Sequence, residues 1–175
     1  MTRNRFRLLA GVFMFALFSV LPMQVVAHGE NSDHDHGPAM NFHAIDDRLA
    51  TGGHFFDGGI ERLADDGVTV VVDLRDEPPE GQAERLAAAG MEWVNVPVSW
   101  KDPKPEDFEA FTAAMAAHPD ARILVQCQAN YRASTFAYLY RVKVGGVSEQ
   151  EARKDLEAVW QPEGRWGRYI DAVLD

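Results

Sequence analysis

The chain has one cysteine among 175 residues, Cys127, which excludes an internal disulfide and any cysteine-based zinc cluster. Basic residues are scarce as well. Seventeen Lys and Arg stand against 27 Asp and Glu, a formal charge of −10. A field of that sign repels nucleic acid and anionic lipid, so a general role on either is excluded. No segment is long and apolar enough for a bilayer span of ~20 residues, and nothing recurs at a fixed 20–50-residue period, which excludes a solenoid.

The N-terminus reads as an export signal. Arg3, Arg5 and Arg7 form a basic start, Leu8 to Leu21 a short apolar stretch, and Val25-Val26-Ala27 the small residues before a cut. As a helix the apolar stretch covers about 21 Å, short of a ~30 Å hydrocarbon core. Residues 1–27 are therefore read as a cleaved signal peptide with no stable membrane anchor left behind, and no cysteine lies near the cut to carry a lipid. The expected location is periplasmic or secreted. Cleavage removes three basic residues and no acid, leaving 148 residues at a formal −13. Residues 28–40 follow as a His/Asp-rich leader (His28, Asp33, His34, Asp35, His36), expected to be solvated and disordered, since its first ten residues contain nothing apolar to anchor them.

From Asn41 onward two periodicities alternate. Phe42–Ile45 and Leu49–Thr51 are predicted as short strands around Asp46-Asp47. Val68–Leu74 and Arg122–Gln126 are β-branched, apolar runs of the kind buried on both faces of a sheet, and Trp93–Val98 is a further strand. Helices are predicted from Ile60 to before Gly67, over Glu80–Ala89, Pro105–Ala117 and Ala133–Val144, from Ser148 to about Trp160, and over Trp166–Leu174. This alternation predicts an α/β fold: one three-layer domain, residues 41–175, with a mostly parallel central sheet covered by helices on both faces. Chemistry in such sheets collects at the carboxyl ends of the strands, and Cys127 follows one.

The segment Gln126-Cys127-Gln128-Ala129-Asn130-Tyr131-Arg132 links a buried strand to an apolar helix. Its N–H groups and the positive helix end would converge on one point, lowering the thiol pKa and holding an oxyanion. Arg132 would fold back as a planar fork for two anion oxygens. The loop contains no glycine, so Asn130, the commonest non-glycine residue at positive φ, is the expected bend.

Cys127-x4-Arg132 after a buried strand resembles the signature loop of the cysteine-dependent protein tyrosine and dual-specificity phosphatases. The resemblance extends over about residues 41–160, including Ile45-Asp46-Asp47-Arg48-Leu49-Ala50-Thr51-Gly52-Gly53 and Val71-Val72-Asp73-Leu74-Arg75. It points most closely to the small bacterial branch with the phosphatase-like domain of beta-lactamase-hydrolase-like proteins. The chain departs from the family's His-Cys-x5-Arg-Ser/Thr pattern: Gln126 replaces the histidine, the loop is one residue short, and Ala133 follows the arginine. The resemblance implies a phosphorylated substrate, a phosphocysteine on Cys127, and no metal or cofactor. It implies that Gln128, Ala129, Asn130 and Tyr131 surround the phosphate, with Ser134 beside the leaving thiolate. It also implies a general acid on an upstream loop. Asp102, in Trp100-Lys101-Asp102-Pro103, is that candidate; Asp107 is its rival, better suited to a helix's acidic first turn. Two other functions fit the same loop. One is a rhodanese-type sulfurtransferase, although the stretch that should follow Val72-Asp73-Leu74-Arg75-Asp76-Glu77 in that family is absent here. The other is a non-catalytic module that binds phosphate or another anion.

Overall fold

The computed structural model describes residues 37–175. The expected signal peptide, residues 1–27, and positions 28–36 of the expected leader lie outside the described residues. Eleven elements follow in chain order: β1 (His43–Ala44), β2 (Leu49–Gly52), α1 (Gly59–Asp65), β3 (Val70–Asp73), α2 (Gln82–Ala88), β4 (Glu92–Asn95), α3 (Pro105–Ala116), β5 (Ile123–Gln126), α4 (Tyr131–Lys143), α5 (Glu149–Val159) and α6 (Arg165–Leu174). The five strands form one sheet in the order β1-β2-β5-β3-β4, parallel except for the edge pair β1–β2. This is the three-layer α/β architecture expected from the alternation.

The two-residue period of a strand divides the sheet's side chains between two cores. Val70, Val72 and Leu74, with Ile123, Val125 and Cys127, pack on the helical face built from α3, α4, α5 and α6. Val71 and Leu124 face the other way, against Ile60 and Leu63 of α1 and Leu86 of α2. Leu124, Val125, Val71 and Val72 are fully buried, each contributing about 1.5–3 kcal/mol by burial. Because β5 lies between β2 and β3, its end is flanked on both sides: Gln126 pairs with Gly52 and with Asp73. The next residue, Cys127, therefore leaves the sheet at its centre, on the larger core's side.

Two boundaries differ from the sequence reading. The fold begins before Asn41: Ala39 is fully buried and bridges Phe55, and the Met40 N–H donates to His54 O while its carbonyl accepts from the Gly53 N–H. Pro38–Met40 thus belong to the domain rather than to the leader, because they close the edge beside Gly52 and Gly53. Helix α4 also starts two residues earlier than apolar periodicity indicates, which puts Arg132 inside its first turn. Among the described residues, no helix is long and apolar enough to cross a membrane.

Candidate active site

Cys127, Gln128, Ala129, Tyr131 and Arg132 line one pocket of about 360 Å³, with Trp100 across from them. Cys127 is 2% exposed at the pocket floor, its own N–H donating to the Gly52 carbonyl at 3.0 Å. Asn130 has φ 67° and ψ −2°, the left-handed bend anticipated for a loop without glycine, and it caps α4. This turn aims the loop's amides inward. Among the described residues, the N–H groups of Gln128, Ala129, Tyr131 and Arg132 make no hydrogen bond to the protein, while an antiparallel bridge between Ala129 and Gly53 ties the loop to the end of β2. The positive end of α4 adds to that array.

The loop carbonyls are held on the outside. His54 N–H donates to Gln128 O at 2.9 Å, and Asn41 Nδ2 donates to Ala129 O at 3.1 Å. Asn130 returns the contact, its Nδ2 donating to Asn41 O at 2.5 Å and to Thr51 Oγ1 at 3.0 Å. Asn41 itself adopts a positive φ of 47°. Gly53 lets the strand end pass close beneath the loop, because a Cβ there would stand 2.7 Å from Gln128 O. Sequence reading missed Asn41, whose isolated position gives no pattern; Gly52-Gly53 was visible only as part of a resemblance.

Arg132 is 6% exposed. Its Nη1 donates to Val98 O at 2.6 Å, Leu74 O at 3.2 Å and Asp76 Oδ1 at 3.0 Å. All its hydrogen bonds among the described residues run through that one nitrogen, leaving Nε and Nη2 as the free side of the fork. Asp76 lies below the usual carboxylate range: partial burial pushes it up, but the hydrogen bond and charge of Arg132 and two backbone N–H groups outweigh that. It balances a guanidinium that must stay in place when no anion is bound.

Gln126, in place of the family's histidine, points to the opposite face of the sheet and is fully buried. Its Nε2 donates to Gly53 O at 3.1 Å, and its Oε1 accepts from Gln82 Nε2 at 3.0 Å and from Arg75 Nη2 at 3.3 Å. Arg75 in turn pairs with the fully buried Asp73 at 2.7 Å. Arg75 therefore belongs to a satisfied buried network under the strand ends.

Other candidates fall elsewhere. Ser134 does not line the pocket: its Oγ donates to Asn130 O at 2.7 Å and Tyr131 O at 3.2 Å. Asn130 does not line the pocket either: its side chain is held by Asn41 O and Thr51 Oγ1. Asp107 accepts from Lys104 N–H at 2.9 Å and caps α3, so its carboxylate is committed to the helix start. Asp102 sits on the exposed loop after Val98, its side chain 78% exposed and 3.8 Å from Lys104 Nζ. Trp100, on that loop, walls the pocket, and Tyr131 stacks on Trp160 with ring centres 4.8 Å apart. An aromatic so close before a candidate acid, in a Pro-rich loop, was the available sign of Trp100.

The family profile described as a DSP-PTPase phosphatase fused to NAD+ kinase matches residues 23–165. No curated protein matches. Among solved structures, a candidate phosphatase (DUF442) from Shewanella putrefaciens CN-32 is 32% identical at a TM-score of 0.67, covering 77% of this chain and 91% of that one. The core catalytic domain of the PP-IP phosphatase SIW14 from S. cerevisiae shares the fold at 15% identity and TM-score 0.65, over 77% of this chain and 85% of its own. TpbA from P. aeruginosa does so at 18% and 0.63, over 76% and 84%.

Proposed function

The chain belongs to the cysteine-dependent protein tyrosine and dual-specificity phosphatases, and on that premise we propose that it is an exported enzyme hydrolysing phosphate monoesters through a phosphocysteine. The observation that carries this reading is the pocket itself. Cys127 lies on its floor, with the uncommitted N–H groups of Gln128, Ala129, Tyr131 and Arg132 and the free side of the Arg132 fork around it.

In the first step the Cys127 thiolate attacks phosphorus and the P–O bond to the leaving group breaks. Those four N–H groups and the Arg132 fork stabilise the three equatorial oxygens, where charge accumulates. Asp102, as the carboxylic acid, gives its proton to the departing oxygen. In the second step water attacks phosphorus, Asp102 takes the proton from it, and the S–P bond breaks to return thiolate and inorganic phosphate. Asp102 must swing from its exposed position over the pocket to act, as a lid loop does. Export is supported by the basic start, apolar stretch and small residues of positions 1–27.

The decisive test is hydrolysis of a generic aryl phosphate by residues 28–175 under reductant, beside Cys127→Ser and Asp102→Asn. Phosphate release that disappears in the serine variant and slows strongly in the asparagine variant is the expected result. Sulfur transfer from thiosulfate to cyanide without phosphate release would overturn the reading in favour of a persulfide enzyme. Phosphate binding without either activity would make the chain a non-catalytic module.

A further inference from the structure

The loop carrying Asp102 has very little to hold it. Val98 is the last residue tied to the sheet, its N–H donating to Leu74 O and its carbonyl accepting from Arg132. The backbone is next engaged at Lys104, by Asp107. Between them, among the described residues, no backbone hydrogen bond involves Ser99 to Pro103, and Pro103 has no N–H to offer. One side chain is seated: the Trp100 ring lies 5.1 Å from Trp166, 5.8 Å from Trp160 and 6.3 Å from Tyr131, centre to centre. Trp166 is 3% exposed in the first turn of α6, and Trp160 closes α5. Tyr131 is the loop residue that opens α4. Three C-terminal helices thus meet at one indole, two residues from the candidate acid.

We propose that Trp160 and Trp166 are positioning residues for the general acid: they seat Trp100, and through it set how often the 99–103 loop brings Asp102 over the phosphate. The inference rests on the phosphatase reading and adds what governs its protonation step. Ring contacts of this kind are each modest and favour offset or edge-to-face arrangements that several nearby geometries satisfy. They suit a seat that holds the near end of a loop while its far end moves. A purely structural role in the α4–α6 core would instead lower stability and slow every substrate alike.

The test separates these by leaving group. Phenyl phosphate expels a basic phenolate and needs the proton; 2,4-dinitrophenyl phosphate does not. Trp166→Leu and Trp160→Leu are each expected to slow phenyl phosphate about tenfold, a part of what a general acid supplies. Dinitrophenyl phosphate turnover should stay nearly unchanged, and the phenyl phosphate effect should vanish in an Asp102→Asn background. Trypsin cleavage after the exposed Lys101 should accelerate in both variants. Val173→Ala, a buried change in the same helix away from these rings, should do neither. Should Trp166→Leu fail to fold, the half-buried Trp160 carries the test.

Parallel losses on both substrates, or an unchanged leaving-group dependence, would overturn the proposal while leaving the phosphatase reading intact. No phosphate release by the parent protein would instead sink that reading. Cleavage after Lys101 would then decide by itself whether the rings seat the loop.

Discussion

Arg132 illustrates how much of the site depends on a single side chain with two jobs. Nη1 is committed to two strand-end carbonyls and Asp76, while the remaining edge faces the pocket. A lysine has no second edge, so Arg132→Lys should lower kcat/KM for an aryl phosphate by about 10²–10³, as for loss of one oxyanion donor. Asn130 bends the loop and ties it to Asn41 and Thr51. An alanine there meets the left-handed penalty of roughly 1–2 kcal/mol and forfeits both bonds. Asn130→Ala should therefore shift the urea midpoint downward clearly, and Asn130→Gly by less. At this scale the shared placement of Cys127 and Arg132 on one pocket and the bend at Asn130 were legible, because each follows from residue type and spacing inside one loop. Asn41 was not, since its contact spans 88 residues.

Between elements, the loop's accuracy comes from the end of β2. Gly53→Ala would place a methyl 2.7 Å from a backbone carbonyl, which cannot rotate away. Activity is expected to fall at least about tenfold with only a modest loss of stability, because a displacement of about 1 Å near reacting groups is costly. Circular dichroism melts run beside the kinetics would check both halves. A second tie joins β1, α4 and α5: Asp155 accepts from His43 Nε2 at 2.8 Å and pairs with Arg141. Partial burial pushes Asp155 up, but these two partners hold it below its ordinary 3.8. A carboxylate lowered in the folded state stabilises the fold above its unfolded pKa and loses that contribution as pH falls through the folded value. Asp155→Asn should lower the melting temperature at neutral pH, by an amount equivalent to about 1 kcal/mol. The gap between wild type and variant should close progressively below pH 3.8. Helix and strand identities were readable from periodicity, whereas the start of α4 was not, because a polar first turn built around Asn130 and Arg132 carries no apolar signal.

For the whole molecule, the N-terminal pattern makes a prediction independent of the catalytic one. Expressed in a bacterium with an intact secretion system, the protein should be found outside the cytoplasm with His28 as its first residue, as read by N-terminal sequencing of the periplasmic and culture fractions. The negative charge of the chain repels an anionic substrate outside the site, where only local groups attract it. Added salt should therefore raise kcat/KM for an aryl phosphate modestly by screening that repulsion. The sequence by itself determined the fold class, the central strand that delivers Cys127, and the short loop that joins Cys127 to Arg132, because these rest on local periodicity and on one short segment. Only the tertiary structure decided which carboxylates are free to act. Asp107 is spent on a helix start, Asp76 on Arg132 and Asp73 on Arg75, and Asp102 remains on a loop seated by rings from three helices. Those commitments join residues far apart in the chain. No local pattern encodes them; the packing of the sheet ends against α2 and against α4–α6 does.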